Sequence, residues 1–209
     1  LSTAEDREDE PLRVVLATTN RGKLADFRQL FRDTGIELVS PAEVGAALDV
    51  EETGTTFLEN ALLKARAHFA ATGLPALADD SGLIAHALGD EPGVRSARYA
   101  GEPSDDHANN RLLIEKLHGV ADRRASFICA LALVLPGGRE ITAEGSCDGR
   151  IIDQERGTNG FGYDSVFYRD DLGCTFGEAT REEKNARSHR GAAVRALIAR
   201  LRQERIVPG

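Results

Sequence analysis

RVVLATTNRGKLADFRQLF, Arg13 to Phe31, decides how the chain is read. Val14-Val15-Leu16 is a short apolar run of the kind that forms a buried strand, and after the polar residues Thr18 to Lys23 the apolar period becomes helical, with Leu24, Phe27, Leu30 and Phe31 on one face. Strand, polar loop and helix in that order aim unpaired backbone N–H groups and the positive end of the helix dipole at one point. Thr18, Thr19, Asn20, Arg21, Gly22 and Lys23 add hydroxyl, amide and ammonium donors there, which suits a phosphate. Thr and Asn are also ordinary helix caps, so the loop alone does not separate a phosphate site from a capped helix start. It is not a Walker A loop: Ala17 stands where the first Gly would fall and Leu24 where Ser or Thr would follow the Lys.

The 209 residues, 41% of them apolar, suffice for a core in one domain or two closely packed lobes. A net charge of −8 argues against a nucleic-acid surface, and an acidic protein that takes a polyanion calls for a divalent cation. Cys129, Cys147 and Cys174 are far apart with no CxxC pair, which speaks against zinc or a disulfide framework and fits a reducing cytoplasm. Residues 1–10 read as a mobile acidic tail without a leader-type apolar segment, and no later stretch reaches the length of a membrane span. The chain contains no Met, so Leu1 does not read as an ordinary start.

Working outward, Ile36–Val39 predicts a second strand. Thr56 with Glu59 forms a capping box for a helix with Leu58, Ala61, Leu62, Ala65 and Phe69 on its core face, ended by Gly73. Asn60 and Lys64, four apart, share another face that can look back toward the first loop. Leu74–Ala78 predicts a strand with Asp79-Asp80-Ser81-Gly82 at its carboxyl end, where open α/β sheets place ligands. Residues 89–104 read as loop, and Ser104 or Asp105 caps a helix running to His118. Ser126–Leu135 and Arg139–Glu144 predict a hairpin across Pro136-Gly137-Gly138, prolonged through Gly145–Ile152 with a bulge. Tyr163–Tyr168 predicts another strand, Thr180–Lys184 a charged turn or short helix, and Ser188 caps a last helix with Val194, Leu197, Ile198 and Leu201 inward. The sum is an α/β fold, a mixed β-sheet flanked by helices, with residues 11–209 as a single domain.

Three groups carry chemistry. Glu51, Glu52, Asp79 and Asp80 are hard oxygen donors suited to Mg²⁺, against which stands the plain reading of an Asx turn and a solvated loop. Lys184, His189 and Arg190 lie at the start of the last helix, where a solvated cap is the plain reading. Gly157-Thr158-Asn159-Gly160-Phe161-Gly162-Tyr163-Asp164 lacks Rossmann spacing but offers close backbone approach and, in Phe161, a face for a planar base. A phosphate cradle, an acidic cluster and a base-binding face together describe a nucleoside polyphosphate site, where positioning and charge neutralisation outweigh any protein nucleophile.

ATTNRGK, EETGTTFLENALLKA, LADDSGL with SARYAG beyond it, GTNGFGYD and TREEKNARSHRG, in this order from about Arg13 to Leu201, closely resemble the inosine/xanthosine triphosphate pyrophosphatase family. The resemblance implies an elongated mixed sheet in two lobes with an active-site cleft between them. It implies a cytoplasmic homodimer that uses Mg²⁺ to hydrolyse ITP, dITP and XTP to the monophosphate and pyrophosphate, a small-molecule nucleoside triphosphate being the partner rather than nucleic acid or membrane. Carried over by motif, Thr18 to Lys23 bind the phosphates with Lys64 helping. Asp80 is proton acceptor and metal ligand, and Glu52 is a further ligand. Ser81, Phe161, Gly162, Tyr163, Asp164, Lys184, His189 and Arg190 bind substrate. The loop satisfies [ST]xNxxK, with Thr19 in place of the Gly common there. Two other readings are a pyrophosphatase for modified pyrimidine nucleotides, which Ser188-His189-Arg190 argues against, and a nucleotide sensor without turnover, which the clustered carboxylates argue against.

Overall fold

The computed structural model describes residues 11–208, so the tail read over residues 1–10 lies outside the described residues. The strands are β1 (Leu12–Leu16), β2 (Ile36–Val39), β3 (Ala76–Ala85), β4 (Glu91–Pro92), β5 (Arg124–Val134), β6 (Glu140–Ile151), β7 (Phe167–Arg169) and β8 (Cys174–Thr175). The helices are α1 (Arg21–Leu30), α2 (Phe57–Thr72), α3 (Asp106–Lys116), α4 (Arg181–Arg187) and α5 (His189–Gln203). The strands form one open mixed sheet in the order β2-β1-β3-β5-β6-β7-β8, with β4 beside the far half of β3. β1 runs parallel to β2 and β3, and every pairing beyond β3 is antiparallel.

Strand β3 organises the sheet because its side chains alternate between two different environments. On one face Ala76 and Ala78 pack toward α2, with Ala61 and Ala65 beneath them. On the other, Leu77 joins a core built with Phe27, Leu131, Val194, Leu197 and Leu201, while Leu83 and Ala85 join a second core with Leu113, Phe127, Phe167 and Phe176. Between these two apolar clusters, on the same face, stand Asp79 and Ser81. An apolar face interrupted by an aspartate and a serine in mid-strand is the gap around which the site is built.

Four local expectations are corrected. Asp79-Asp80-Ser81-Gly82 is not the end of a strand: β3 continues to Ala85, held by one-to-one pairing with β5 from Ala76↔Val134 to Ala85↔Ala125. The strand that stops is β1, whose last partner on β3 is Leu77, so the edge of β3 beyond that residue lies open until β4 pairs at Ile84. The bulge expected in Gly145–Ile152 is absent, because β5 and β6 keep one register from Arg124↔Arg150 to Val134↔Glu140. Gly145 serves instead as the point where α5 lies against the sheet, since a Cβ there would strike the backbone of His189 and Ala193. The strand predicted over Tyr163–Tyr168 shrinks to Phe167–Arg169, for Asp164 accepts from the Phe161 N–H at 2.9 Å and the Tyr163 hydroxyl donates to the Ser96 carbonyl at 2.8 Å, bending Gly162–Ser165 into a 3₁₀ turn. Residues 89–104 are not all loop: they contain β4 and a 3₁₀ turn over Gly93–Arg98, whose Ser96 hydroxyl accepts from the Leu83 N–H at 2.9 Å.

Candidate active site

The loop after β1 folds as its sequence suggests. Asn20 is the N-cap of α1, its Oδ1 accepting from the Lys23 N–H at 3.0 Å, and Thr18 Oγ1 accepts from the Asn20 N–H at 3.2 Å. With Asn20 Oδ1 spent on the cap, the amide nitrogen remains as its donor. Lys23, in the first turn, sends its ammonium to Asp79 Oδ2 at 2.8 Å. Gly22 lets α1 approach the distant glycine-rich loop: a Cβ on it would fall 2.6 Å from Phe161 Cδ1.

Asp79 and Asp80 are sequence neighbours with opposite surroundings, as strand alternation requires. Asp79, 1% exposed, meets Lys23 Nζ, the Ser81 hydroxyl at 3.1 Å and Arg190 Nη2 at 3.9 Å. Burial by itself would raise its carboxyl, but the nearby charges of Lys23, Arg190 and Lys64 outweigh it and hold the group well below the usual carboxylate range. Asp80 faces α2, where Asn60 Nδ2 donates to its Oδ2 at 3.0 Å and Lys64 Nζ lies 3.8 Å from its Oδ1. Lys64 makes its closer contact with Glu52 Oε1, at 2.6 Å. Desolvation, helped by the charge of Glu52, pushes the Asp80 carboxyl above its ordinary value in spite of Lys64. A carboxyl pushed up by its surroundings, next to one held down by its neighbours' charge, is the asymmetry expected of a proton acceptor beside an anchor.

The C-terminal residues reach the same place through α4 and α5. Thr180 and Glu183 form a reciprocal capping box for α4, and Ser188 caps α5 by accepting from the Gly191 N–H at 3.0 Å. Lys184 is 4% exposed, its ammonium 2.5 Å from Asp164 Oδ2 and 4.9 Å from the centre of the Phe161 ring. Arg190 is 2% exposed, with Nη1 3.3 Å from Asp26 Oδ2 and Nη2 3.3 Å from Ser81 Oγ. Its Nε is buried without a hydrogen-bond partner among the described residues. His189 stacks on Phe127 with ring centres 4.7 Å apart.

His189 is held neutral. Burial, then the positive charges of Arg190 and Lys184, keep its imidazole well below the ordinary value. Below about pH 6.5 the unfolded chain binds a proton at this residue and the native chain does not, so stability falls on acidification. The expected slope is about 0.7 kcal/mol per pH unit near pH 6.5, where the unfolded imidazole is half protonated, and steepens toward about 1.4 as the pH falls below that to about 5. Urea titrations of the parent and of His189→Gln across that range check it, because the variant should lose this share of the slope; parallel curves would show that His189 is accessible to protons in the native state.

One cleft is lined from the N-terminal half by Asn20, Lys23, Glu52, Asp80 and Ser81, and from the C-terminal half by Phe161, Gly162, Tyr163, Asp164, Lys184, His189 and Arg190. Lys64 sits beneath it, in contact with Glu52 and Asp80, and Gly22 lies behind Phe161 in an adjoining hollow. Thr18, Thr19 and Arg21, also expected to bind phosphate, do not line it. Sequence reading overlooked Asp26, which holds Arg190 and stands three residues after Lys23 on the same helical face, so the spacing could have pointed to it. It also gave no role to Ser96, the first residue of SARYAG, or to Asp106 and Phe127, which belong to no motif, although all three line the cleft. Asn60 was placed on the Lys64 face, and the structure gives it Asp80 as partner.

The family model described as Ham1 family matches residues 14–200. A dITP/XTP pyrophosphatase of Nitrosomonas europaea is 46% identical over 198 residues, covering 94% of this chain and 97% of that protein. One of Cutibacterium acnes is 50% identical over 194 residues, covering 89% and 94%. Among solved structures, a HAM1 protein from Coxiella burnetii superposes with a TM-score of 0.83 at 43% identity, covering 92% of this chain and 99% of that one. A nucleoside-triphosphatase / dITP/XTP pyrophosphatase from Mycobacterium abscessus does so with a TM-score of 0.72 at 44% identity, covering 88% and 98%.

Proposed function

The chain belongs to the Ham1 family, and we propose that it hydrolyses the non-standard purine nucleoside triphosphates XTP, ITP and dITP to the nucleoside monophosphate and pyrophosphate, keeping them out of DNA and RNA. The observation that carries this is the convergence, in one cleft, of Lys23 and Asn20 from the first loop, Asp80 and Glu52, and Phe161, Lys184 and Arg190 from the far end of the sequence.

In this reading Asn20 and Lys23 bind triphosphate oxygens at the start of α1, where the helix dipole adds to their charge. Asp80, whose raised carboxyl is suited to general-base work, accepts the proton of the water that attacks the α-phosphorus. Phe161 with Tyr163 and Asp164 borders the base. His189 and Arg190 line the same cleft, and N–H donors from them would be satisfied by the 6-oxo group of hypoxanthine or xanthine and not by the 6-amino group of adenine. A site built around such a bond rejects the mismatched analogue by about 10⁴-fold.

Mg²⁺ fits the donor set. Glu52 and Asp80 already share one cation, Lys64 Nζ, so their oxygens converge. Two carboxylates are the small protein share that leaves the remaining positions to water and phosphate oxygens. Bound there, the metal would supply charge neutralisation along the phosphate chain. The two apolar clusters flanking Asp79 and Ser81 support a single domain of two lobes. A cytoplasmic homodimer belongs to the same reading through the family resemblance.

Incubation with XTP and Mg²⁺ should yield XMP and pyrophosphate, with ITP and dITP comparable and ATP, dUTP and methylated pyrimidine triphosphates poor. Release of orthophosphate, or saturable binding with no product, would defeat the assignment.

A further inference from the structure

Lys64 occupies an unusual position for a residue expected to touch phosphate. It rises from α2 one turn after Asn60 and sits under the cleft between the two carboxylates assigned to the metal, 2.6 Å from Glu52 Oε1 and 3.8 Å from Asp80 Oδ1, with its side chain 12% exposed. Two carboxylates brought together out of water repel each other and need a cation. Lys64 is that cation.

Charge balance sharpens the point. Asp26, Asp79, Asp80 and Glu52 face Lys23, Lys64, Arg181 and Arg190, with Lys23 held by Asp79, Arg181 by Asp26, and Arg190 shared between Asp26 and Asp79. A divalent ion entering alone would leave this pocket with uncompensated positive charge beside a buried ammonium. Among the described residues there is no group of three or more His, Cys, Asp or Glu side chains that could hold an ion without help from a ligand. A metal ion that arrives on a triphosphate brings the missing negative charge and gives Lys64 a phosphate oxygen to move to.

We propose that Lys64 is a built-in substitute for the metal: its ammonium neutralises Glu52 and Asp80 in the free enzyme, keeps free divalent cations off them, and gives way only to a metal–triphosphate complex. The inference rests on the pyrophosphatase reading for the identity of the incoming ligand, and concerns a step that precedes chemistry. Metal and nucleotide then enter together, and the free protein holds divalent ions poorly.

Titration of nucleotide-free protein with Mn²⁺, read by the electron paramagnetic resonance of the unbound ion, tests this. Wild type should bind Mn²⁺ weakly, and Lys64→Met, which keeps an unbranched side chain of nearly the same length and removes the charge, should bind at least about tenfold more tightly. Equal or weaker binding by folded Lys64→Met would overturn the proposal. So would tight Mn²⁺ binding by nucleotide-free wild type, a measurement that stands even if the variant fails to fold. Wild-type turnover of XTP is scored separately: its absence refutes the pyrophosphatase reading, whereas turnover with an unchanged Mn²⁺ affinity in the variant refutes the substitute role alone.

Discussion

Asp80→Asn should retain the fold and lose about 10²- to 10⁴-fold in turnover of XTP, the span typical of a removed general base. Asp80 sits in mid-strand with its oxygens accepting from the Ser81 N–H at 3.0 Å and from Asn60 Nδ2 at 3.0 Å. An amide keeps one acceptor and loses the other, a modest cost. Against it stands a gain: the carboxyl is raised above its ordinary value by burial and by Glu52, so the charged form is disfavoured by folding at neutral pH, and removing the charge relieves that penalty. The melting temperature should therefore stay level or rise while kcat collapses. An amide can neither take the proton from water nor bind a divalent ion as a carboxylate does. Steady-state assays with XTP and Mg²⁺ beside thermal melts separate the two effects, and turnover within tenfold of wild type would remove Asp80 from the mechanism.

Lys184→Met should cost about 3–5 kcal/mol of stability, because it strands a buried carboxylate. Lys184 is 4% and Asp164 3% exposed, and the ammonium is 2.5 Å from Oδ2 of its partner. Asp164 has a further donor in the Phe161 N–H at 2.9 Å, but the only cation in salt-bridge contact with it among the described residues is Lys184. The same ammonium stands over the Phe161 ring, so its loss loosens the base-facing loop along with the core. Urea unfolding measures the first effect and KM for XTP the second. The double variant Lys184→Met/Asp164→Asn should recover most of the stability, since the stranded charge is gone, while KM stays high. A loss below about 1 kcal/mol in the single variant would mean that water reaches Asp164 as it reaches an exposed pair.

Both predictions depend on groups that local reading could identify but not assemble. The capping chemistry of Asn20, Thr56 and Ser188, and the apolar stripes on α1, α2 and α5, were legible because each is settled within four residues along the chain. The hairpin β5–β6 was legible for the same reason, its turn lying between two uninterrupted strand patterns. Errors fell where a remote partner outvotes the local pattern. Tyr163 leaves the ladder because Ser96 holds its hydroxyl, and Gly145 is flat because α5 rests on it.

The sequence by itself determined the alternation of strands and helices, the loop chemistry of Thr18–Lys23, and the residue types of a nucleoside polyphosphate site, all of which follow from periodicity and from side-chain donors. Only the tertiary structure decided which carboxylate does what. Asp79 and Asp80 are adjacent and chemically identical, yet strand alternation sends one toward Lys23 and Arg190 and the other toward Asn60 and Lys64. The reason is physical: the energy of a charge depends on what surrounds it, and those surroundings come from helices up to about a hundred residues away in the chain.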